Sequence, residues 1–232
     1  MSDVEISASF WDDWNAQTRQ PSQLSDVSLD QQRVILGWLK ARNVRDAEIL
    51  EVGCGTGWMC ESLLPFGHVT GTDLSPRCIE EAQTRMPQAR FVAGDFMALD
   101  FPEAHYDAIC SLEVLSHVAD QPAFAAKLAR LLKPGGLLMM ATQNKPMLQR
   151  WANVRAPAPG QLRAWRDQDE VRALLAPHFD LREMFTVTPI AHKLPLRLLT
   201  AKKVRALIPG LTKWEERRGW GWTIMVLAEK RA

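Results

Sequence analysis

One short stretch constrains the fold of this chain more than any other. Residues 49–58 read ILEVGCGTGW, in which an apolar run leads into glycines at alternate positions, Gly53, Gly55 and Gly57. Glycine lets the backbone turn sharply and approach a ligand closely, because it carries no Cβ. A helix that begins directly after such a loop offers its N-terminus to electron-rich groups. The stretch therefore predicts a strand, a ligand-binding turn and a helix.

The sequence around this stretch alternates short apolar runs with helical segments. The five runs are Glu48–Val52, Val69–Thr72, Arg90–Ala93, Tyr106–Leu112 and Gly136–Thr142. The helical segments lie near 57–65, 76–86 and 121–132. Strands joined by crossover helices pair in parallel, so the pattern predicts an α/β fold with a doubly wound, mostly parallel sheet.

Further elements are predicted on both sides of this core. Ser28 is expected to cap a helix from residue 29 to about 42. The segments predicted after the core are an excursion (143–166), a helix (Asp167–Ala176) and two strands (Phe179–Thr188 and Trp222–Glu229). Residues 189–221, between those two strands, are too many for a hairpin loop and are expected to form an insert of their own.

Composition agrees with one globular domain. The 232 residues are 47% hydrophobic and 24% charged, which is ordinary for a chain with a single core. No run of 18 apolar residues predicts a membrane span, and the acidic start lacks the pattern of a signal peptide, so we expect a cytoplasmic protein.

The cysteines show neither CxxC spacing nor a Cys/His cluster, which predicts reduced thiols and no metal site. They are Cys54, Cys60, Cys78 and Cys110.

Two acidic residues follow the next two strands in the register that an adenosine ligand requires. Asp73 comes twenty residues after Gly53, where a carboxylate can accept both ribose hydroxyls. Asp95 ends the third strand and could accept from an adenine amino group, with Phe96 on the ring face. An alternative is that the loop is only a tight turn and the two acids are merely solvated. That alternative would leave the positions of the acids after successive strands unexplained. A nicotinamide dehydrogenase would need glycine at the sixth position of the loop, where this chain has Trp58.

In these features the sequence resembles the class I S-adenosylmethionine-dependent methyltransferases, in the branch that acts on small molecules and quinones. The resemblance rests on EVGCGTG (51–57), Asp73, Asp95, SLEVLSHV (111–118) and KPGG (133–136). It implies a Rossmann-like sheet of seven mostly parallel strands, of which the last is antiparallel. It also implies S-adenosylmethionine as cofactor, with S-adenosylhomocysteine as product. The residues implied around the cofactor are Glu51, Gly53, Cys54, Gly55, Gly57, Asp73, Leu74, Asp95, Phe96 and Leu112.

The resemblance divides one predicted domain, 1–232, into three parts. These are an N-terminal helical cap (1–44), a cofactor-binding core (45–142), and an acceptor-side excursion with the last strands and the insert (143–232). In similar enzymes an N-terminal helix closes over the site, so Trp11 and Trp14 are candidates for a lid and, with Gln143, for the acceptor pocket. The tryptophans could equally serve only to pack that helix onto the core.

Two histidines are expected at the carboxyl ends of the strands, where open parallel sheets bind their ligands. His117 follows the fourth strand and is the candidate general base, because its pKa range suits proton removal near neutral pH. It could instead only cap or pack its own segment. Glu113, four residues earlier, would share a helix face with His117. The second histidine expected at these strand ends is His192, which follows the sixth strand. Similar segments carry a second glutamate for a metal where this chain has Ser116, so no metal is predicted.

The acceptor is inferred from a missing motif. The segment after the fourth strand reads LEVL (112–115) and lacks the Asn/Asp-Pro-Pro-Tyr/Phe motif of many enzymes that methylate bases or glutamine. We therefore expect a methyltransferase of a small-molecule hydroxyl, on a sugar, a phenol or a natural-product intermediate. A binding module that has lost catalysis is a further alternative. The chain is expected to be a monomer or a homodimer.

Charge is unevenly distributed along the chain. Residues 1–150 carry a net charge of −6 and residues 151–232 a net charge of +7, and 193–218 alone hold eight basic and two acidic residues. Leucines lie between the basic residues of 193–213, as in a lobe that covers a substrate or in an element that lies on a membrane surface. The second reading suggests a peripheral-membrane methyltransferase of a lipid-tailed, quinone-like acceptor. No nucleic-acid partner is expected, because stacking platforms and an overall basic charge are missing.

Overall fold

The computed structural model of the chain describes residues 24–154, 156–158, 161–201, 204, 207–208 and 210–231. Its centre is a seven-stranded sheet with the order β3-β2-β1-β4-β5-β7-β6. The strands are β1 (Ala47–Val52), β2 (Gly67–Asp73), β3 (Arg90–Ala93), β4 (Tyr106–Leu112), β5 (Leu132–Gln143), β6 (Phe179–Val187) and β7 (Thr223–Lys230). Strands β1 to β5 pair in parallel, and β7 pairs antiparallel with both β5 and β6. The predicted seven-stranded sheet with an antiparallel last strand is confirmed.

Helices connect the strands and cover the sheet. They are α1 (Asp26–Ala41), α2 (Trp58–Leu63), α3 (Pro76–Arg85), α4 (Gln121–Leu131), α5 (Lys145–Arg150), α6 (Gln168–Leu175), α7 (Leu196–Leu199) and α8 (Leu211–Arg217). Short 3₁₀ turns lie at Leu64–Phe66 and Leu115–His117. Side-chain caps set several helix starts: Ser75 caps α3, Asp120 caps α4, and Asp167 forms a capping box at α6.

Two predicted boundaries were wrong by three residues or more. Helix α1 begins one turn earlier than expected, because Ser25 rather than Ser28 is the cap, and the Ser25 hydroxyl accepts the Ser28 N–H at 3.1 Å. Strand β5 begins at Leu132 rather than at Gly136. The KPGG turn leaves the chain extended enough for Leu132 to pair with Tyr106, and the register then shifts before regular pairing resumes.

The core lies in two layers, one on each face of the sheet. Neighbouring residues of one strand serve opposite layers: Ile49 packs with α1 and α2, whereas Leu50 packs with α4 and α6. This arrangement is what a doubly wound sheet requires, because both faces of its parallel strands are buried. The carboxyl ends of β1, β2, β4 and β5 consequently meet at one edge of the sheet.

The insert between β6 and β7 contains α7 and α8, as expected for residues 189–221. Several apolar side chains of the insert are exposed, with Leu194 at 66% and Leu207 at 81%. Within the described residues, no helix has both the length and the apolar character needed to cross a bilayer. The lid candidates Trp11 and Trp14 lie outside the described residues.

Candidate active site

The glycine loop has the strand–turn–helix geometry expected of it. Gly53, Gly55 and Gly57 all have positive φ, at 75°, 54° and 79°. A Cβ on Gly53 would lie 2.2 Å from Val114 Cγ2, and a Cβ on Gly57 would lie 2.5 Å from Met86 Cε. Both the backbone conformation and the space therefore require glycine. The loop leaves a cradle of backbone between β1 and α2.

Asp73 joins this loop to the end of β2. Its Oδ2 accepts the Gly55 N–H at 2.8 Å and its Oδ1 accepts the Ser75 N–H at 3.0 Å. A carboxylate oxygen has lone pairs for more than one hydrogen bond, so both oxygens can also accept from ligand hydroxyls. Leu74 lies partly buried beside it. The structure thus brings the loop and the predicted ribose carboxylate together.

The carboxylate of Glu51 is buried beneath the loop at 1% exposure, next to buried thiols. Burial raises the pKa of the Cys54 and Cys110 thiols, and the charge of Glu51 raises both further. These cysteines therefore stay neutral and serve as small apolar side chains. All four cysteines of the chain are buried, and none of them forms a disulfide.

The segment after β3 contains Asp95 and Phe96, the residues predicted to lie at the adenine, and both make contacts within the chain. Asp95 Oδ1 accepts the Met97 N–H at 2.9 Å, which shapes the turn. The Phe96 ring is only 8% exposed and packs against Phe124 and Phe101, with centroids 5.5 and 5.9 Å apart. The expectation that this ring stacks on an adenine has no support in that packing, because the ring belongs to the core below α4.

A buried lysine that sequence reasoning missed holds this segment in place. Lys127 of α4 is 6% exposed, and its Nζ donates to the backbone carbonyls of Phe96, Met97 and Leu99 at 2.6, 3.2 and 2.5 Å. Burial lowers its pKa. Three carbonyls satisfy the three N–H donors of an ammonium group. The available signal was the position of Lys127 among the apolar residues of α4, beside Leu128.

The turn after β4 separates the two residues expected to share a helix face. Leu112 ends the strand, and Glu113 follows with φ 63° while its N–H donates to the Ala141 carbonyl at 2.8 Å. Its Oε1 accepts from Gln31 Nε2 at 2.5 Å and from Thr223 Oγ1 at 3.1 Å. Glu113 therefore faces α1 and β7. The expectation that Glu113 and His117 share a helix face is wrong, because the 3₁₀ turn starts only at Leu115.

His117 is fixed by a backbone carbonyl. Its Nδ1 lies 2.7 Å from the Leu162 oxygen. Because a carbonyl can only accept, Nδ1 carries the proton, and in the neutral ring the lone pair lies on Nε2. Next to it, the Ser116 hydroxyl donates to Gln143 Oε1. Gln143, a predicted acceptor residue at the end of β5, is thereby joined to the turn that carries His117.

A segment of the long excursion crosses this turn, and we refer to residues 161–166 as the strap. The Ala164 N–H donates to the Ser116 carbonyl at 2.8 Å, and the Leu162 carbonyl contacts His117. At its end, the Arg166 carbonyl accepts the Lys145 N–H at 3.1 Å. The strap therefore lies against the carboxyl ends of β4 and β5, where the sequence had indicated only an irregular excursion.

His192 has a different environment. Its Nδ1 accepts the Asn153 N–H at 3.0 Å, and its ring centroid lies 5.9 Å from that of Trp222. The proton of the neutral ring therefore lies on Nε2, which makes that atom a donor rather than a base. Among the described residues, no three His, Cys, Asp or Glu side chains are grouped so that they could hold a metal ion.

Known proteins match this chain in sequence and in fold. Residues 30–183, more than half of the chain, match the family described as "Methyltransferase domain". The chain belongs to the methyltransferase-domain family. This membership confirms the predicted methyltransferase class. It also confirms the prediction that S-adenosylmethionine is the cofactor of the family.

Individual relatives match over part of their length. A 2-methyl-6-phytyl-1,4-hydroquinone methyltransferase of Synechocystis is 38% identical over 102 residues, which are 42% of this chain and 32% of the relative. A ubiquinone biosynthesis O-methyltransferase of Xylella fastidiosa is 34% identical over 157 residues, which are 63% of this chain and 61% of the relative. The chain thus spans between about a third and three fifths of these curated relatives.

The fold has solved counterparts. The N-methyltransferase NodS of Bradyrhizobium japonicum, crystallised with S-adenosylhomocysteine, superimposes with a TM-score of 0.68, and the match covers 98% of this chain and all of that chain at 16% identity. A likeness at this identity concerns the fold alone. A Cβ at Gly53 or Gly57 would collide with Val114 or Met86, so the loop keeps its shape only with glycine. The donor set fits the family cofactor, because the loop lies beside the Asp73 carboxylate, an acceptor suited to ribose hydroxyls.

Proposed function

We propose that this chain transfers a methyl group from S-adenosylmethionine to a hydroxyl group of a small organic acceptor. The observation that carries the proposal is the placement of His117. Its ring proton is held on Nδ1 by the Leu162 carbonyl, at the sheet edge that also carries the glycine loop. A neutral imidazole with its lone pair on Nε2 is suited to take a proton from a hydroxyl.

The cofactor would be held by the glycine loop and by the acids at the end of β2 and after β3. The backbone of Gly53–Gly57 would surround its methionine part, Asp73 would accept from the ribose hydroxyls, and the second oxygen of Asp95 would accept from the adenine amino group. When bound, S-adenosylmethionine supplies a methyl group on a sulfonium that is a good leaving group. The residues of this chain need mainly to hold the acceptor in line with that methyl group.

The acceptor would lie between the glycine loop and the turn after β4. Nε2 of His117 takes the hydroxyl proton as the oxygen attacks, a contribution of about 10²–10⁴ in rate. The strap and Gln143 contact the turn that carries His117 and would lie beside the acceptor. The name of one relative supports oxygen as the methylated atom, because that relative is an O-methyltransferase.

The test is a transfer assay with labelled S-adenosylmethionine against catechols, simple phenols, sugars and amines. We expect label in at least one hydroxyl acceptor and none in the amines. His117→Gln should lower kcat by about 10²–10⁴ and leave affinity for S-adenosylhomocysteine unchanged. The matched control is His68→Gln, at the exposed start of β2, which should retain full turnover. Equal turnover in both variants would contradict the role of His117, and binding without transfer would favour the module that has lost catalysis.

A second candidate is a lipid-tailed quinol acceptor reached at a membrane surface. The insert supports it, because Leu194, Leu198 and Leu207 are 66%, 63% and 81% exposed among basic residues. Apolar and basic side chains together suit an anionic lipid surface. The names of the relatives mention ubiquinone and a phytyl hydroquinone, which are compounds of this class.

Vesicle co-sedimentation distinguishes the two candidates. Vesicles of phosphatidylglycerol and phosphatidylcholine are compared with vesicles of phosphatidylcholine alone at low salt. The second candidate requires binding to the anionic vesicles only and a loss of that binding in Leu194→Ser/Leu198→Ser. If the protein stays in the supernatant with both vesicle types, a freely soluble acceptor is favoured.

A further inference from the structure

A buried glutamine joins the strap to the turn that carries His117. Gln121, the first residue of α4, is 2% exposed. Its Nε2 donates to the carbonyls of Leu115 and Ala164, both at 2.8 Å, and its Oε1 accepts from Arg166 Nε. Both N–H donors and the carbonyl oxygen of the amide are therefore used.

The two segments that Gln121 joins hold His117 between them. Leu115 begins the 3₁₀ turn that ends at His117, and Ala164 lies in the centre of the strap, two residues after Leu162. The Ala164 N–H also donates to the Ser116 carbonyl. The distance between Leu162 and the imidazole therefore depends on how firmly the strap is held to the turn.

We propose that Gln121 is a positioning residue that determines which nitrogen of His117 carries the proton. It holds the strap so that the Leu162 carbonyl accepts from Nδ1, and the lone pair then lies on Nε2. The tautomer of a histidine is set by the hydrogen bond that its other nitrogen makes. The catalytic use of Nε2 rests on the proposed function, whereas the position of the proton does not.

The chemistry of the contacts explains why an amide is needed at this position. A carboxylate of the same size would keep the contact with Arg166 but would set an oxygen against two carbonyls. A leucine would fill similar space and lose all three hydrogen bonds. In both cases the Ala164 carbonyl loses its donor, and the Leu115 carbonyl retains the Val118 N–H at 3.2 Å. Buried polar groups are costly to leave without such partners.

The decisive test is ¹⁵N NMR of the histidine rings in the full chain at about pH 8.5, where an ordinary imidazole is neutral. The His117 signals are assigned by their loss in His117→Gln. In the wild type we expect the signature of a proton on Nδ1. In Gln121→Leu and in Gln121→Glu we expect a mixture of the tautomers protonated on Nδ1 and on Nε2. Near-UV circular dichroism first shows that these samples are folded.

The matched control is Gln31→Leu. Gln31 is also 2% exposed, and its amide donates to Glu113 and Thr223 rather than to the carbonyls that Gln121 joins. Its loss should leave the His117 signature unchanged. The proposal is overturned if the wild-type ring carries its proton on Nε2, if either folded Gln121 variant retains the wild-type signature, or if the control loses it equally.

Kinetics provide a second readout once an acceptor is found. Gln121→Leu should lower kcat by about 10-fold and move the ascending limb of its pH profile, while affinity for S-adenosylhomocysteine stays at the wild-type value. An unchanged pH profile would contradict the proposal. If the wild type transfers no methyl group, the proposed function fails, but the NMR experiment still decides the role of Gln121.

Discussion

The two halves of the candidate site are built in different ways. The cofactor half, at the ends of β1 and β2, consists mainly of backbone, with the N–H groups of Gly53 and Cys54 both donating to the Thr72 carbonyl. The acceptor half, after β4 and β5, consists of side chains from distant segments, such as Gln31 with Glu113 and Ser116 with Gln143. The first half is therefore encoded locally, and the second depends on how the whole chain folds.

This difference predicts how each half responds to change. Substitutions in the cofactor half should weaken S-adenosylhomocysteine binding. Substitutions in the acceptor half should alter turnover or local stability and leave that binding intact. The predictions below test this division, beginning with the largest expected effect.

The glycine loop should be the most sensitive part of the molecule. Gly53→Ala adds a methyl group 2.2 Å from Val114 Cγ2 at a φ of 75°. We expect the free energy of unfolding to fall by about 2–5 kcal/mol, measured by urea denaturation, and ligand binding to be lost. Adding Val114→Ala should recover the stability that is lost to the clash with Val114. It should not recover the stability that is lost because alanine is strained at a positive φ.

The matched control for that prediction is Gly37→Ala. Gly37 lies within α1, where an added Cβ would meet nothing within 4 Å. Alanine should stabilise the helix by up to about 1 kcal/mol. If both alanine variants behave alike, the special role of the loop glycines is refuted.

The next largest effect concerns Asp73. Asp73→Ala removes the acceptor of the Gly55 and Ser75 N–H groups together with the proposed ribose contact. Calorimetry should show S-adenosylhomocysteine bound more weakly by about 1–3 kcal/mol. Asp180→Ala, which removes an exposed partner of Arg231, is the control and should bind normally. Wild-type affinity in the Asp73 variant would exclude the ribose assignment.

Lys127 connects the two halves, because α4 follows the turn with His117 while its ammonium group holds the segment after β3. Lys127→Met leaves three carbonyls without their donor and should lower the free energy of unfolding by about 1–3 kcal/mol. Binding of S-adenosylhomocysteine should weaken as well. Lys133→Met, which breaks a surface pair with Asp107, should cost less than about 1 kcal/mol. Similar losses in both variants would show that the buried carbonyls do not need Lys127.

The smallest effect is a pH dependence in the acceptor half. The Lys145 ammonium, with the Asp167 N–H, holds the pKa of Glu170 below its ordinary value of 4.5. Because the folded pKa is lower than the unfolded one, this stabilisation is present above pH 4.5 and is lost as the pH falls through the lowered value. Its size should be less than about 1 kcal/mol, since the pair is partly exposed.

Glu170→Gln tests that dependence. Urea denaturation gives the free energy of unfolding at pH values above and below the titration of Glu170. As the pH is lowered through this range, that free energy should fall less in the variant than in the wild type. Its affinity for S-adenosylhomocysteine should not change. Parallel loss of stability in the two proteins would show that the contact between α5 and α6 does not depend on this charge.

The same division explains what the sequence could predict. The sheet, the glycine loop and Asp73 follow from local patterns, because their hydrogen bonds join strand ends whose order the pattern already gives. The roles of Gln121 and Lys127 do not, because apart from Leu115 their partners lie about 30 to 45 residues away and only the folded chain brings them together. The packing of the Phe96 ring under α4 was not predicted for a similar reason, since the local motif does not include that helix.

The most direct test of the central claim is calorimetric titration of the full chain with S-adenosylhomocysteine. We predict one-to-one binding in the micromolar range for the wild type and for Gln121→Leu, and weaker binding for Asp73→Ala. That result would establish the cofactor half as an independent unit and justify the acceptor screen. Folded wild-type protein that does not bind would contradict the account, because the glycine cradle and Asp73 would then have no ligand to hold.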